Sequence, residues 1–144
     1  MLEDVTPIGQ NPGDVQPATR SRCGNDHCLI LVVDDDDDLR EGLAEILEDE
    51  GLGVATASNG REALAYLRSH EAPAVILLDL MMPVMNGPEF RAHQLDDASL
   101  SSIPVILLTA AHDGRAQATR LGVAGYFSKP IRFEQLLEAL MQHC

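Results

Sequence analysis

Polar side chains follow three apolar runs of this 144-residue chain. The runs and the polar residues after them are residues 29–33 with Asp34 and Asp35, residues 74–78 with Asp79, and residues 105–108 with Thr109. If the runs are parallel strands, these side chains meet at one edge of one sheet, where open α/β sheets bind their ligands. Three carboxylates placed together repel one another, and a divalent cation relieves the repulsion. Oxygen ligands select a hard ion with free positions for phosphate oxygens, so the pattern indicates a site for Mg²⁺ and phosphate.

The same edge has the residue types that phosphoryl transfer needs. Beside a divalent cation, Asp79 can attack a phosphoryl group, because the ion neutralises charge that would oppose the approach of two anions. Lys129, the only lysine of the chain, follows a fourth apolar run at residues 123–127. Its ammonium group would bind a phosphoryl oxygen, and the hydroxyl group of Thr109 would donate a hydrogen bond to another.

Length and charge limit the class of protein. The length suits one domain. The net charge of −13 repels nucleic acid and anionic membranes, so neither is expected as a direct partner. No run approaches the roughly 18 apolar residues of a membrane span, and residues 1–22 lack the basic start and apolar centre of a secretory signal. We therefore expect the protein in the cytoplasm.

The termini differ in composition from the rest of the chain. Residues 1–27 contain three prolines and three glycines and few large apolar residues, which predicts a flexible N-terminal tail and leaves residues 28–144 as the domain. Cys23, Cys28 and Cys144 are odd in number and lie near the ends, which is no disulfide framework. The sequence therefore predicts reduced thiols.

From residue 29 onward, strand and helix patterns alternate five times. Helix one is predicted at residues 39–50, where four apolar residues share a face and Gly51 ends the helix. The other predictions are strand two at residues 52–57, a helix after Asn59 and Gly60, strand three at residues 74–78, a loop at 80–86, a helix at 88–94, strand four after Pro104, a helix capped by Asp113 and ending before Gly122, strand five at 123–127, and a last helix whose inner face is Phe133, Leu136, Leu137 and Leu140.

Repeated βα units with continuously apolar central strands predict a parallel sheet with helices on both faces. The right-handed crossover rule leaves few topologies. We expect a doubly wound, flavodoxin-like α/β fold with five strands in the order 2-1-3-4-5 and five helices. In that order strands one and three are neighbours, so Asp34, Asp35 and Asp79 come together.

Five motifs occur in a fixed order along the domain. They are VVDD at residues 32–35, ILLDLMMP at 76–83, NG at 86–87, LTA at 108–110 and YFSKP at 126–130. Together they resemble the response-regulator receiver domain of two-component signalling, of the stand-alone, chemotaxis-regulator-like type, from about residue 29 to the end. The resemblance implies that Asp79 is the phosphoacceptor. It also implies that Asp34, Asp35, Asp79 and the backbone carbonyl of Met81 bind Mg²⁺.

The resemblance assigns further roles around the phosphoryl group. Thr109 and Lys129 would contact it, Thr109 and Tyr126 would act as switch residues, and the Lys129–Pro130 peptide would be cis. The partners implied are a sensor histidine kinase or a histidine phosphotransfer protein, and a downstream protein target that binds the face of helix four, strand five and helix five. The family also places the residues at Met81 and Ala111 beside the path of the water that hydrolyses the aspartyl phosphate.

Other classes of function remain as alternatives. An aspartyl-phosphate hydrolase of the haloacid-dehalogenase-like type usually has a second Asp two positions after the nucleophile, and this chain has Met81 there. A flavin carrier of the same topology would need a loop rich in Gly, Ser or Thr after strand one, where this chain is acidic. A protein-binding module that is not phosphorylated is the third alternative. We expect that the protein is not an enzyme. It would be a phosphoacceptor that assists its own Mg²⁺-dependent phosphorylation and its slow dephosphorylation.

Overall fold

The computed structural model describes residues 28–110 and 112–144. They form one parallel sheet in the order β2-β1-β3-β4-β5, with a helix after each strand. The elements along the chain are β1 (Leu29–Val33), α1 (Asp37–Asp49), β2 (Gly53–Ala57), α2 (Gly60–Ser69), β3 (Val75–Asp79), α3 (Gly87–Asp96), β4 (Val105–Thr109), α4 (Gly114–Leu121), β5 (Gly125–Ser128) and α5 (Phe133–Met141). The predicted fold class, strand order and number of helices are confirmed.

The three central strands are the core of the molecule. All five residues of β3 and of β4 are buried, as expected for strands covered on both faces. Successive side chains alternate between the faces: Leu31, Ile76 and Leu107 pack with α2, α3 and α4. On the other face, Val32 and Leu77 pack with α1 and α5. The sheet therefore holds the ends of β1, β3 and β4 in fixed positions beside one another.

Helix starts differ from the predicted ones because of their capping residues. Helix α1 begins at Asp37, two residues before the predicted start, since the carboxylate of Asp36 accepts the backbone N–H of Leu39 at 3.2 Å. Helix α3 begins after Asn86, whose side chain accepts the N–H of Glu89 while the Glu89 carboxylate accepts the N–H of Asn86. Strand five starts and ends slightly later than predicted.

Two residue assignments need correction. Asp113 occupies the N-cap position of α4 as predicted, but its side chain makes no capping bond to the backbone, and its carboxylate accepts a hydrogen bond from the Gln117 side chain at 3.1 Å. Phe133 is 38% exposed and is not part of the inner face of α5. It stands at the first residue of the helix, and Ile131 packs against the core there in its place.

The prediction of reduced thiols is also wrong for two of the three cysteines. Cys28 and Cys144 form a disulfide, with their Cα atoms 5.4 Å apart. Spacing along the chain does not predict this pair, because β1 starts, and α5 ends, at the same side of the sheet, so the fold brings together residues that are 116 positions apart. The remaining Cys23, like the predicted tail at residues 1–27, lies outside the described residues. Of the helices that are described, none is long and apolar enough to cross a membrane.

Candidate functional site

Three carboxylates meet at the carboxyl edge of the sheet. Asp34 follows β1 and Asp79 ends β3, and these strands are paired through Val33 and Leu78. One oxygen from each of Asp34, Asp35 and Asp79 can be chosen so that all three lie within 4.8 Å of one another. Asp34 has no exposed surface, Asp79 is 5% exposed and Asp35 is exposed. The predicted acidic pocket is therefore assembled, with one side open to solvent.

Asp34 is held in place from several directions. Its Oδ1 accepts the backbone N–H of Asp36 at 2.9 Å, and its Oδ2 accepts a hydrogen bond from Lys129 Nζ at 3.2 Å. Its backbone N–H donates to Ala57 at the end of β2, and its backbone oxygen accepts a hydrogen bond from the Arg40 guanidinium at 2.7 Å. The sequence did not identify Arg40 as part of the site, because its only signal was its position one turn into α1, close to the end of β1.

Lys129 lies between the two buried carboxylates. Its Nζ is 3.2 Å from Asp34 Oδ2 and 3.4 Å from Asp79 Oδ1. Its backbone N–H donates to the carbonyl of Thr109 at 2.8 Å, and the Lys129–Pro130 peptide is cis as predicted. Burial lowers the pKa of Lys129, but the charges of Asp79 and Asp34 outweigh that effect and raise the pKa above its ordinary value. The ammonium group therefore stays charged at neutral pH.

Asp79 is the ionisable group most affected by this arrangement. Burial and then the neighbouring charge of Asp34 raise the pKa of Asp79 to about 6, against the opposing influence of Lys129. A bound cation would remove this penalty by stabilising the ionised form. The three carboxylates offer only oxygen ligands, and Asp79 ionises less readily than usual when no cation is bound. Such a site fits a hard divalent ion.

The loop after Asp79 is closed tightly over the end of β3. Gly87 N–H donates to the carbonyl of Leu80 at 3.0 Å, and a Cβ atom at Gly87 would lie 2.9 Å from the carbonyl oxygen of Asp79. Only glycine fits this approach of two backbone segments without a shift. The side chain of Met81 is 74% exposed beside the pocket. The role of the Met81 carbonyl as a metal ligand stays a prediction.

The two predicted switch residues lie against the start of α4. Thr109 is buried at the end of β4, and Tyr126 is half-buried on β5. A Cβ atom at Gly114, the first residue of α4, would lie 3.0 Å from Thr109 Cγ2 and 2.9 Å from Tyr126 Cδ2. Sequence reasoning missed Gly114, for which a lone glycine after Asp113 was the only signal.

Comparison with known proteins identifies the family of this chain. Residues 30–141 match the family model of the response regulator receiver domain. Protein PilH of Pseudomonas aeruginosa is 35% identical over 113 residues, which are 77% of this chain and 93% of that protein. Response regulator Rre1 of Synechocystis is 37% identical over 117 residues, which are 79% of this chain and 50% of that protein.

A solved structure resembles the fold closely. The response regulator protein TrrA from Thermotoga maritima, in complex with Mg(2+)-BeF, has a TM-score of 0.72 and 32% identity, covering 81% of this chain and 99% of that one. The fold and the edge of acidic residues define a receiver domain of two-component systems. The chain belongs to the response regulator receiver family. It spans about half the length of several curated relatives that it matches.

Proposed function

We propose that this chain accepts a phosphoryl group on Asp79 from a phosphohistidine of a sensor histidine kinase or a histidine phosphotransfer protein. It then changes the surface formed by α4, β5 and α5, which a downstream protein target binds. This exchange takes place in the cytoplasm. The chain acts as a phosphoacceptor and does not turn over a separate substrate.

The placement of the side chains supports this transfer. An ionised oxygen of Asp79 attacks phosphorus, the new P–O bond forms as the P–N bond breaks, and the histidine nitrogen of the donor keeps the electron pair. Lys129, already 3.4 Å from Asp79 Oδ1, binds a transferred phosphoryl oxygen. The hydroxyl group of Thr109 binds another, which brings the end of β4 toward Asp79.

Mg²⁺ would be held by Asp34, Asp35 and Asp79 together with the backbone carbonyl of Met81. When bound, it neutralises negative charge on the phosphoryl oxygens and on the attacking carboxylate. Asp34 can serve as a ligand because its position is fixed by Asp36 and Lys129 through hydrogen bonds. Asp35, which is exposed, is free to adjust to the ion.

The observation that most supports the proposal is the placement of Asp79. It is a nearly buried carboxylate with a pKa raised to about 6, beside one further buried carboxylate and a lysine ammonium group. A carboxylate that only ended a strand would gain nothing from this costly position.

The test is chemical phosphorylation of the purified chain. With acetyl phosphate and Mg²⁺, the wild type should gain one hydroxylamine-sensitive phosphoryl group, and EDTA should prevent the gain. Asp79→Asn should abolish the label, whereas Asp49→Asn, which changes an exposed acid at the end of α1, should keep it. Equal labelling of Asp79→Asn would overturn the proposal.

The same assay separates the alternatives. Catalytic release of phosphate from small phosphoesters would identify a hydrolase. Neither label nor turnover would indicate a protein-binding module that is not phosphorylated.

A further inference from the structure

Arg91 on α3 contacts the far end of α4. Its Nε donates to the carbonyl of Leu121 at 3.0 Å, and its Nη2 donates to the carbonyl of Gly122 at 2.8 Å. These are the last carbonyl groups of α4 and its cap, where the helix has partial negative charge. The residue is 7% exposed, and the two bonds are partly buried.

A buried glutamine extends this contact. Gln94 has no exposed surface and accepts a hydrogen bond from Arg91 Nη1 at 2.7 Å. The side-chain amide of Gln94 donates to the carbonyls of Leu100 and Ile103, at 3.0 Å each. The guanidinium group is therefore oriented by a side chain that is itself fixed to the connection between α3 and β4.

These three hydrogen bonds stabilise the buried charge of Arg91. Within the part of the chain that the structure describes, Arg91 forms no ion pair. Burial lowers the pKa of Arg91, yet a guanidinium group stays protonated in proteins. A buried charge without a carboxylate is costly unless its hydrogen bonds are satisfied. Movement of the C-terminal end of α4 away from Arg91 would break two of the three hydrogen bonds of its guanidinium group.

Among the residues that the structure describes, no side-chain capping bond holds the N-terminal end of α4. Helices α1, α2 and α3 each receive a side-chain capping bond at their start, whereas α4, like α5, receives none. Only Gly114 and Ala118 of its residues are buried. The start of the helix lies directly against Thr109 and Tyr126. The two ends of α4 therefore differ in how firmly they are held, and the weaker end faces the site.

We propose that Arg91 is a positioning residue that fixes the C-terminal end of α4, so that a change at Thr109 and Tyr126 moves only the N-terminal end about this point. The inference rests on the proposed phosphorylation of Asp79. Lysine cannot replace Arg91, because a single ammonium group cannot reach two carbonyls and an amide oxygen in the planar arrangement of the guanidinium group.

Hydrogen exchange on the full chain tests this inference, with and without Mg²⁺ and beryllofluoride as the phosphoryl mimic. In the wild type, the mimic should change exchange at residues 114–117 at least fivefold more than at Gly122 and Val123. The amides of Gly122 and Val123 donate to Thr119 and Ala118 at the anchored end. An equal change at both ends of the wild-type helix would overturn the pivot, by which we mean the movement of the N-terminal end of α4 about the end held by Arg91. No variant is needed for this outcome.

Variants test the anchor separately. Arg91→Met should raise exchange at Gly122 and Val123 at least tenfold without the mimic, and should extend the response to the mimic along the whole helix. If Arg91→Met fails to fold, Arg91→Lys replaces it. We expect the lysine variant to show the same effects to a smaller degree. The control is Arg115→Met, which makes the same change at an exposed position of α4 and should behave as the wild type.

The two proposals fail in different ways. Unchanged exchange at Gly122 and Val123 in both Arg91 variants would overturn the anchor, whatever happens at Asp79. Absence of beryllofluoride binding, seen by fluorine NMR, together with absence of labelling by acetyl phosphate would overturn the proposed function and the pivot. The anchor would still be decided by the exchange rates without the mimic.

Discussion

At the scale of single residues, the ionised Asp79 lowers the stability of the metal-free protein, because it is buried beside Asp34. Its pKa is about 6 in the fold against an ordinary 3.8, so the folded state favours the protonated form. The resulting stabilisation is present below about pH 4 and is lost as the pH rises through about 6. At pH 7.5 without metal, Asp79→Asn should therefore raise the free energy of unfolding by about 1–3 kcal/mol.

Urea unfolding at pH 4 and pH 7.5 measures this effect. The gain from Asp79→Asn should be near zero at the lower pH, and millimolar Mg²⁺ should reduce the gain at the higher pH because it stabilises only the wild-type carboxylate. Asp49→Asn is the control on an exposed acid. A gain that is the same at both values of pH would contradict the assigned cause.

The lifetime of the aspartyl phosphate is a second property of single residues. The family resemblance places Met81 and Ala111 beside the path of the hydrolytic water, and Ala111 lies outside the described residues. A thioether and a methyl group cannot orient water by a strong hydrogen bond, so self-dephosphorylation should be slow. Met81→Asn combined with Ala111→Glu should speed the loss of label about tenfold or more after the donor is removed. Equal decay rates would show that these positions do not set the lifetime.

At the scale of elements, the loop between β3 and α3 contains a strained residue. Val84 has φ of +67°, a conformation that a β-branched residue rarely adopts, and its side chain is 68% exposed. Val84→Asn should raise the free energy of unfolding by about 1 kcal/mol, because Asn tolerates the left-handed region. Val84→Thr keeps the branched Cβ and should bring no gain. Equal stability of all three proteins would show that the loop relieves the strain in another way.

Sequence reasoning succeeded where one local pattern fixes both an element and its chemistry. The apolar runs that end in Asp34, Asp79 and Thr109 predict strands and a common edge, because parallel strands place their carboxyl ends together. The same reasoning could not find the contact of Arg91 with Gly122, since the two residues are 31 positions apart and the role of Gly122 as a helix end does not indicate a partner. Contacts of this kind depend on how helices lie on the sheet, which hydrophobic periodicity does not specify.

At the scale of the whole molecule, the disulfide closes almost the entire domain into one loop. Cys28 and Cys144 are 116 positions apart. Closing a loop of about this length lowers the conformational entropy of the unfolded chain, which stabilises the fold by up to about 5 kcal/mol. Reduction, or Cys144→Ser, should therefore lower the free energy of unfolding by about 3–5 kcal/mol. Cys23→Ser should leave the effect of the reductant unchanged.

Thermal unfolding with and without a phosphine reductant measures this contribution, and alkylation followed by mass spectrometry counts the free thiols. The result bears on the proposed location, because disulfides are rare in a reducing cytoplasm. Equal stability of the oxidised and reduced chains would show that the bond does not restrict the unfolded state.

A single lysine limits where amine-directed reagents can attach to this chain. Lys129 is the only side-chain amine of the chain, it is 24% exposed, and it lies between Asp34 and Asp79. Amine-directed dyes, biotin reagents and coupling to activated surfaces can therefore attach only to the chain's α-amino group or inside the acidic pocket. Acylation of Lys129 would remove its positive charge, so a preparation immobilised in this way would be altered inside the acidic pocket. The same property makes the extent of Lys129 acylation a footprint of whatever occupies the pocket.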